Sequence, residues 1–266
     1  MKKYFAYTLT LIMILLSGIN MYALYHFDNT SQILQKLRDD RFMMVQMANE
    51  LRQSSNDLTR FARTYAVTGE KIYKENYFSV LDIREGKKAR PYYYEGIYWD
   101  LLEPIRSERH RAKEASSFET LISRLPYSKS ELSMLKKSKS LSDNLVSMEV
   151  EAFALIENNS SNREEIEQIN TDLATNNKAI AMLHSKRYHI EKAKIMLPID
   201  DFMFSVSHRT ALSIKTLKEK IEIDFYIFRI TLLFLLLFFI IFLFWILRKN
   251  TQETLTTHQR EEENSL

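Results

Sequence analysis

Two stretches of the chain are apolar over the length of a membrane-crossing helix. Residues 4–25 contain no charged side chain, and residues 230–247 are apolar except for Thr231. Because a helix rises 1.5 Å per residue, each stretch is long enough to cross a hydrocarbon core of about 30 Å. We therefore predict one transmembrane helix over 4–25 and a second over 225–247, whose aromatic residues at the start form an interfacial belt.

The first apolar stretch has an alternative interpretation, a cleaved signal peptide. Such signals usually have an apolar run of 7–15 residues followed by a small-residue cleavage site. The run here is longer, and Met21-Tyr22-Ala23 is a poor cleavage site. The pattern favours an uncleaved anchor.

Basic residues flank both predicted spans on the side of the chain termini. Lys2-Lys3 precede the first span and Arg248-Lys249 follow the second. The positive-inside rule then places residues 1–3 and 248–266 in the cytoplasm and residues 26–224 on the opposite side of the membrane. The central segment is close to neutral and long enough to bury a core of its own.

Apolar residues recur at helical spacing through most of the central segment. The fold class that we predict is all-α: an extracytoplasmic antiparallel helical bundle whose first and last helices continue into the membrane spans. The predicted helices cover 27–68, 71–84, about 129–158 and about 200–247. A capping box over Ser128–Glu131 starts the third of these helices.

Glycine and proline mark the predicted breaks between the helices. Gly69 and Gly86 are expected to end helices, and Pro198 is expected to interrupt the chain near 197–200. Pro104 predicts a kink or a new helix start, and Asn162 predicts the start of a further helix.

Composition excludes several classes of function. The chain of 266 residues has four Gly, four Pro and no Cys, and its 37 basic and 34 acidic residues give a net charge of +3. The glycines are too far apart for a phosphate-binding loop, and the missing cysteines exclude thiol nucleophiles and Cys-based zinc sites. We expect no enzymatic activity, no cofactor and no nucleic-acid partner.

The six histidines do not predict a metal site. His184 and His189 are five residues apart, which is about 140° around a helix, so they do not share a face. Solvated or capping histidines are the simpler interpretation, and we expect no bound metal.

An arginine-rich part of the first long helix is the first candidate binding element. Arg52, Arg60 and Arg63 stand among small hydrogen-bonding residues and could hold a carboxylate or a similar anion bidentately. The alternative is an exposed face with salt bridges to Asp57 or Asp100.

Three aromatic residues complete the predicted ligand site. Tyr65 lies on the apolar side of the arginine-rich helix, and Tyr98 and Trp99 form part of the second candidate, Gly96–Asp100. Tyrosine and tryptophan bury well and still offer an O–H or N–H group to a ligand. A simple packing cluster is the alternative interpretation of these side chains.

Four sequence blocks resemble the helical sensor domain of bacterial membrane signalling proteins. They are LRQSSNDLTRFARTYAVTG (51–69), LDIREGKKARP (81–91), GIYWDLL (96–102) and YHIEKAKIMLPIDDF (188–202). The resemblance covers about residues 30–220, and the first block is the most specific. It implies a periplasmic domain between two inner-membrane helices, ahead of histidine-kinase, diguanylate-cyclase or chemoreceptor output modules.

The chain departs from that family after Leu247. The tail 248–266 is too short for a linker domain or a catalytic module, so the gene is truncated or split, or a separate cytoplasmic partner supplies the output. We therefore expect a non-catalytic receptor, embedded in membrane lipid as a homodimer, that detects a periplasmic small molecule or binding protein. The alternative is a structural or adaptor protein that scaffolds an envelope complex.

Overall fold

The computed structural model describes residues 2–94, 96–101, 105–106, 114–157 and 177–263. The described part of the chain is helical and contains no strand, which confirms the predicted all-α class. The predicted breaks at Pro104 and Asn162 lie outside the described residues. The helices are α1 (Lys2–Thr68), α2 (Lys71–Glu85), α3 (Phe118–Ser123), α4 (Lys129–Glu157) and α5 (Lys186–Glu263), with a 3₁₀ turn at Tyr98–Asp100 and further helical residues at 177–183.

Glycines in the left-handed region end α1 and α2, as predicted. Gly69 has a φ of 71° and donates its N–H to the carbonyl of Tyr65 at 2.8 Å. Gly86 has a φ of 76°, a conformation that side chains other than glycine rarely adopt. A Cβ atom at Gly86 would also stand 2.6 Å from the backbone nitrogen of Ser117. Glycine at this position therefore permits the chain before α3 to approach the end of α2.

The predicted capping box at the start of α4 is confirmed. The backbone N–H of Ser128 donates to Glu131 Oε2 at 2.8 Å, and the backbone N–H of Glu131 donates to Ser128 Oγ at 3.2 Å. Each side chain thus satisfies a backbone donor that the first helical turn leaves without a partner.

We expect Ser128→Ala to lower the free energy of unfolding by about 1 kcal/mol, because it removes the oxygen that caps α4. Thermal unfolding followed by circular dichroism would measure the change. Ser130→Ala is the matched control, since Ser130 is exposed and its side chain makes no capping contact. Equal stability of the two variants would contradict a capping role for Ser128.

The predicted interruption at Pro198 is wrong. Helix α5 begins at Lys186 and passes through Pro198, so the last helix starts well before residue 200. Proline removes one backbone donor from a helix and crowds the preceding turn. Ser138 on α4 donates its hydroxyl to the carbonyl of Ile195 in that turn at 2.9 Å. Burial of Pro198 and Ile199 holds this part of α5 in the core, and tertiary packing outweighs the local preference.

The chain divides into two compact units. One contains the residues up to Arg38 and those from Ala211 onward, and the other is Asp39–Thr210. Helices α1 and α5 each contribute residues to both units.

Within the first unit, α1 and α5 pair in antiparallel fashion. Asn20 accepts a hydrogen bond from Thr231 at 3.0 Å, and His26 lies 2.6 Å from the carboxylate of Asp224. Both helices are long and apolar enough to cross a membrane: the most apolar windows have mean hydropathies of 1.6 in α1 and 3.2 in α5. The window in α5 has no fully buried residue, so its apolar side chains are all at least partly exposed.

The Asp39–Thr210 unit buries two apolar clusters. One is built from Met44–Leu51 of α1, from α3, from Leu135 of α4, and from Ile199–Val206 of α5. The other is built from Leu58–Ala66 of α1 with residues of α2, α4 and the start of α5. Within this unit α1 and α5 therefore share both clusters.

Candidate functional site

The three arginines of the predicted ligand site have different surroundings. Arg52 is exposed. Arg60 forms ion pairs with Asp57, at 3.1 Å, and with Asp100. Arg63 donates through Nε and Nη2 to the carbonyl of Leu183 at 3.1 and 3.0 Å. The salt bridges of Arg60 are those of the alternative interpretation.

The predicted aromatic residues lie in two groups. Tyr98 and Trp99 pack edge to face at 4.9 Å, and Trp99 meets the ring of Phe61 at 5.4 Å. Tyr65 is buried against Phe153 instead, at 5.2 Å.

The structure thus brings Arg60 close to Tyr98 and Trp99, through Asp100 and through the ring of Phe61, over which the Arg60 guanidinium stacks at 5.0 Å. Arg52, Arg63 and Tyr65 do not take part in these contacts. Ligand binding by these six residues stays a prediction.

A second arrangement, which the sequence patterns did not reveal, is a network of buried polar side chains in the Asp39–Thr210 unit. We call it the polar centre, and its members come from four helices. They are Ser55 and Thr59 of α1, Tyr77 of α2, Glu149 of α4, and Tyr188 and Lys192 of α5.

Glu149 is the hub of the polar centre. Its side chain is buried, and Oε2 accepts a hydrogen bond from the hydroxyl of Tyr77 at 2.8 Å. The other carboxylate oxygen accepts from the hydroxyl of Tyr188, which also lies 3.0 Å from Thr59 Oγ1. Lys192 Nζ donates to Ser55 Oγ at 2.7 Å. The contacts of Tyr188 and Lys192 therefore join α5 to α1 through polar groups.

Burial controls the ionisation of the polar centre. It raises the pKa of Glu149 above its usual range, although the two tyrosine hydroxyls and Lys192 act in the opposite direction. Burial also lowers the pKa of Lys192 to about 8, against the attraction of Glu149. The pKa values of Tyr77 and Tyr188 rise because the hydroxyls are buried and stand beside the Glu149 carboxylate.

Asp57 is a further buried carboxyl, on the same helix as Ser55 and Thr59. It is 3% exposed, and it accepts hydrogen bonds from Gln53 at 3.2 Å and from Arg60 at 3.1 Å. Burial raises the pKa of Asp57 to about 6, and the neighbouring Arg60 cation only partly opposes this rise.

We expect Asp57→Asn to flatten the dependence of stability on pH between about 4 and 6. In this window the folded protein keeps a proton that the unfolded chain has lost, because the pKa of Asp57 is raised. Stability therefore falls as pH rises through the window. Melting temperatures from pH 4 to pH 7 should decline by about 4 °C less in the variant. Asp200→Asn, at an exposed position, is the control, and an unchanged slope in Asp57→Asn would contradict the assignment.

The polar centre links four helices through specific side-chain contacts, and such contacts favour one register of the helices over others. Among the described residues, no group of three or more histidine or acidic side chains is placed to hold a metal ion.

A signal for the polar centre exists in the sequence. Glu149 stands between Leu145 and Ala152 on the apolar seam of α4, where a charge is unusual. Tyr77, Tyr188 and Lys192 carry no comparable signal, because tyrosine and lysine are common on partly buried helix faces.

Comparison of the chain with models of protein families, with curated proteins and with solved structures finds no match. The candidate site therefore rests on its own residues and contacts.

Proposed function

We propose that the protein is a non-catalytic transmembrane receptor of the bacterial inner membrane. The Asp39–Thr210 unit detects a ligand or a partner protein on the extracytoplasmic side, and α1 and α5 convey the change to a cytoplasmic signalling partner. The observation that carries the proposal is the continuity of these two helices. Each contains a stretch apolar enough to cross a membrane and also forms part of the Asp39–Thr210 unit.

The charges beside the apolar stretches support this topology. Lys2-Lys3 and Arg248-Lys249 favour a cytoplasmic location for both ends of the chain. The Asp39–Thr210 unit is then periplasmic. The outward-facing apolar side chains of α5 fit contact with lipid tails or with a second copy of the chain, and a homodimer is part of the proposal.

The polar centre supports the proposed transmission. Small helix shifts are a common signalling movement. The contact of the Tyr188 hydroxyl with Thr59 and the hydrogen bond from Lys192 to Ser55 are short-range, so we expect such a shift to break them or to exchange their partners. The sensor-like sequence blocks agree with this function.

The topology is testable because the chain has no cysteine of its own. Tyr92→Cys, in the exposed loop after α2, should react with a membrane-impermeant maleimide on spheroplasts. Thr251→Cys, beyond the second apolar stretch, should react only after the membrane is permeabilised. Labelling of both positions from the same side would overturn the proposed topology.

Signal transmission is tested by breaking the helices between the two units. Four glycines inserted between Arg38 and Asp39, or between Thr210 and Ala211, should abolish the difference in transcript profile between cells with and without the protein. The same insertion between Lys87 and Lys88, in a loop, is the control. Immunoblots of membrane fractions verify equal protein levels.

A scaffold for an envelope complex makes the opposite prediction. It needs the Asp39–Thr210 unit to be anchored, but it does not need unbroken helices. Transcript profiles that survive both helix insertions, together with co-purification of an unchanged complex, would replace the receptor by the scaffold.

A further inference from the structure

A cleft of about 370 Å³ opens beside the buried part of α1. Its walls are α1, the loop after α2 and residues 114–124, all within the Asp39–Thr210 unit. The volume is in the range of small-molecule sites in proteins. None of the six residues predicted to bind a ligand lines this cleft.

Arg90 is the buried cation of the cleft. It is 8% exposed, and its Nη2 lies 2.7 Å from Oε1 of the equally buried Glu50. Neither its Nε nor its Nη2 atom makes a hydrogen bond of good geometry among the described residues, so Glu50 pairs with Arg90 by charge and proximity. A guanidinium has five N–H donors, and a buried donor without a partner is costly. Arg90 is thus held in place by Glu50 with donor capacity to spare.

The charged side chains that line the cleft have no net charge. Arg124 and Glu114 are exposed residues of its wall, while Arg90 and Glu50 form its buried side. Two cations and two carboxylates leave the lining without net charge. A ligand with a single type of charge would meet repulsion as well as attraction, whereas a zwitterion finds a partner for each of its groups.

An apolar wall completes the site. Met43, Met47 and Leu121 line the cleft beside the charged residues. Methionine side chains adapt to ligands of different shape because they are unbranched and polarisable. The wall therefore fits a small aliphatic group of variable outline.

From this combination we infer that the cleft binds a small zwitterion, namely an α-amino acid with an aliphatic side chain. Its carboxylate is held by Arg90, its ammonium group lies against Glu114, and its side chain packs on Met43 and Leu121. The inference names the ligand class for the proposed receptor and rests on that function only for the signalling consequence. Binding itself needs no assumption about output.

The test is calorimetric titration of the full chain in lipid nanodiscs. The probes are leucine and methionine, with isopentylamine as the amine alone and 4-methylpentanoate as the carboxylate alone. We expect leucine or methionine to bind, and each single-charge probe to bind at least about tenfold more weakly, because each loses one charged hydrogen-bonding group. Absence of binding by both amino acids at about 10 mM overturns the proposal. So does equal binding of a single-charge probe.

Variants assign the roles within the cleft. Glu114→Gln changes an exposed residue, so folding should be preserved. It should weaken binding of the amino acid about tenfold, whereas 4-methylpentanoate should bind no more weakly than to the wild type, since the variant removes a carboxylate that repels it. Arg90→Gln should weaken both, and a thermal melt checks its fold. Lys87→Gln is the control, because Lys87 lies in the same loop as Arg90 but does not line the cleft. If Glu114→Gln bound the amino acid as tightly as the wild type does, the assignment of Glu114 as the partner of the ammonium group would be overturned.

The experiment separates this inference from the proposed receptor. Amino-acid binding without any effect of the helix insertions on transcripts would refute the receptor and retain the site. If the helix insertions abolish the transcript response but the protein binds no amino acid, the receptor is retained and the site is refuted.

Discussion

Glu149→Ala is expected to lower the free energy of unfolding by about 4 kcal/mol, the largest effect of any single substitution considered for this protein. The change removes the common acceptor of Tyr77 and Tyr188, whose hydroxyls lie in a buried site. A buried hydroxyl without a partner costs about 1–3 kcal/mol. This cost applies in full to Tyr77 and in part to Tyr188, whose hydroxyl keeps Thr59 Oγ1 at 3.0 Å, and the shortened side chain adds a cavity. Chemical denaturation of the protein in micelles would measure the loss.

Two companion variants separate hydrogen bonding from packing. Glu149→Gln keeps the shape and an acceptor, so we expect a loss below about 1.5 kcal/mol. A triple variant, Glu149→Leu with Tyr77→Phe and Tyr188→Phe, removes the two hydroxyl donors together with their acceptor. It should recover part of the stability, since no tyrosine hydroxyl is left unpaired, although Lys192 loses the attraction of the Glu149 carboxylate. If Glu149→Ala were as stable as Glu149→Gln, the tyrosine contacts would have no energetic role.

Most of the helical fold was predictable from the sequence because its signals are local. The stops at Gly69 and Gly86 depend on the freedom of glycine at positive φ, and the start of α4 depends on two side chains three residues apart. Pro198 shows the limit of local signals. Its effect on α5 depends on Ser138 and on the packed side chains around it, which are distant in sequence.

The candidate sites were less predictable because they depend on contacts between distant segments. The arginines of the first sequence block were visible as a group, but the sequence does not show that Arg60 meets Asp100 or that Arg63 meets the carbonyl of Leu183. Arg90 and Glu50 are forty residues apart and belong to different elements. Their meeting in one cleft follows from the tertiary structure alone.

The buried face of α4 combines a regular local spacing with side-chain contacts to distant segments. Its buried positions recur mainly at alternating spacings of four and three residues, but four of the nine are polar: Glu131, Ser138, Ser142 and Glu149. A search for apolar periodicity passes over such positions. Each of these four side chains forms a hydrogen bond with another helix, so the seam specifies which helices pair as well as burying area.

At one end of this seam, Arg209→Ala should lower the free energy of unfolding by about 3 kcal/mol at pH 7. Glu131 is fully buried, and Arg209 donates to both of its carboxylate oxygens, at 2.9 and 3.0 Å. Removal of the guanidinium leaves a buried carboxylate without its cation, which is strongly destabilising. Arg209→Lys keeps the charge but loses the bidentate geometry, and its loss should be intermediate.

The loss in Arg209→Ala should depend on pH in a defined direction. Burial alone would raise the pKa of Glu131, but hydrogen bonds from Arg209 and Ser128 outweigh burial and lower it below its ordinary value. In the wild type the carboxylate thus contributes stability above that ordinary value, and the contribution is lost as pH falls through the lowered pKa. In Arg209→Ala the hydrogen bonds from Arg209 no longer oppose burial, so Glu131 takes up a proton more readily. At low pH the variant then no longer holds an unpaired buried carboxylate. Its deficit relative to wild type should therefore shrink from pH 7 to pH 4.

Lys194→Ala, which breaks an exposed pair with Glu191, is the control and should cost less than about 1 kcal/mol at either pH. A deficit of Arg209→Ala that stays constant with pH would show that the guanidinium acts by packing and not by its charge.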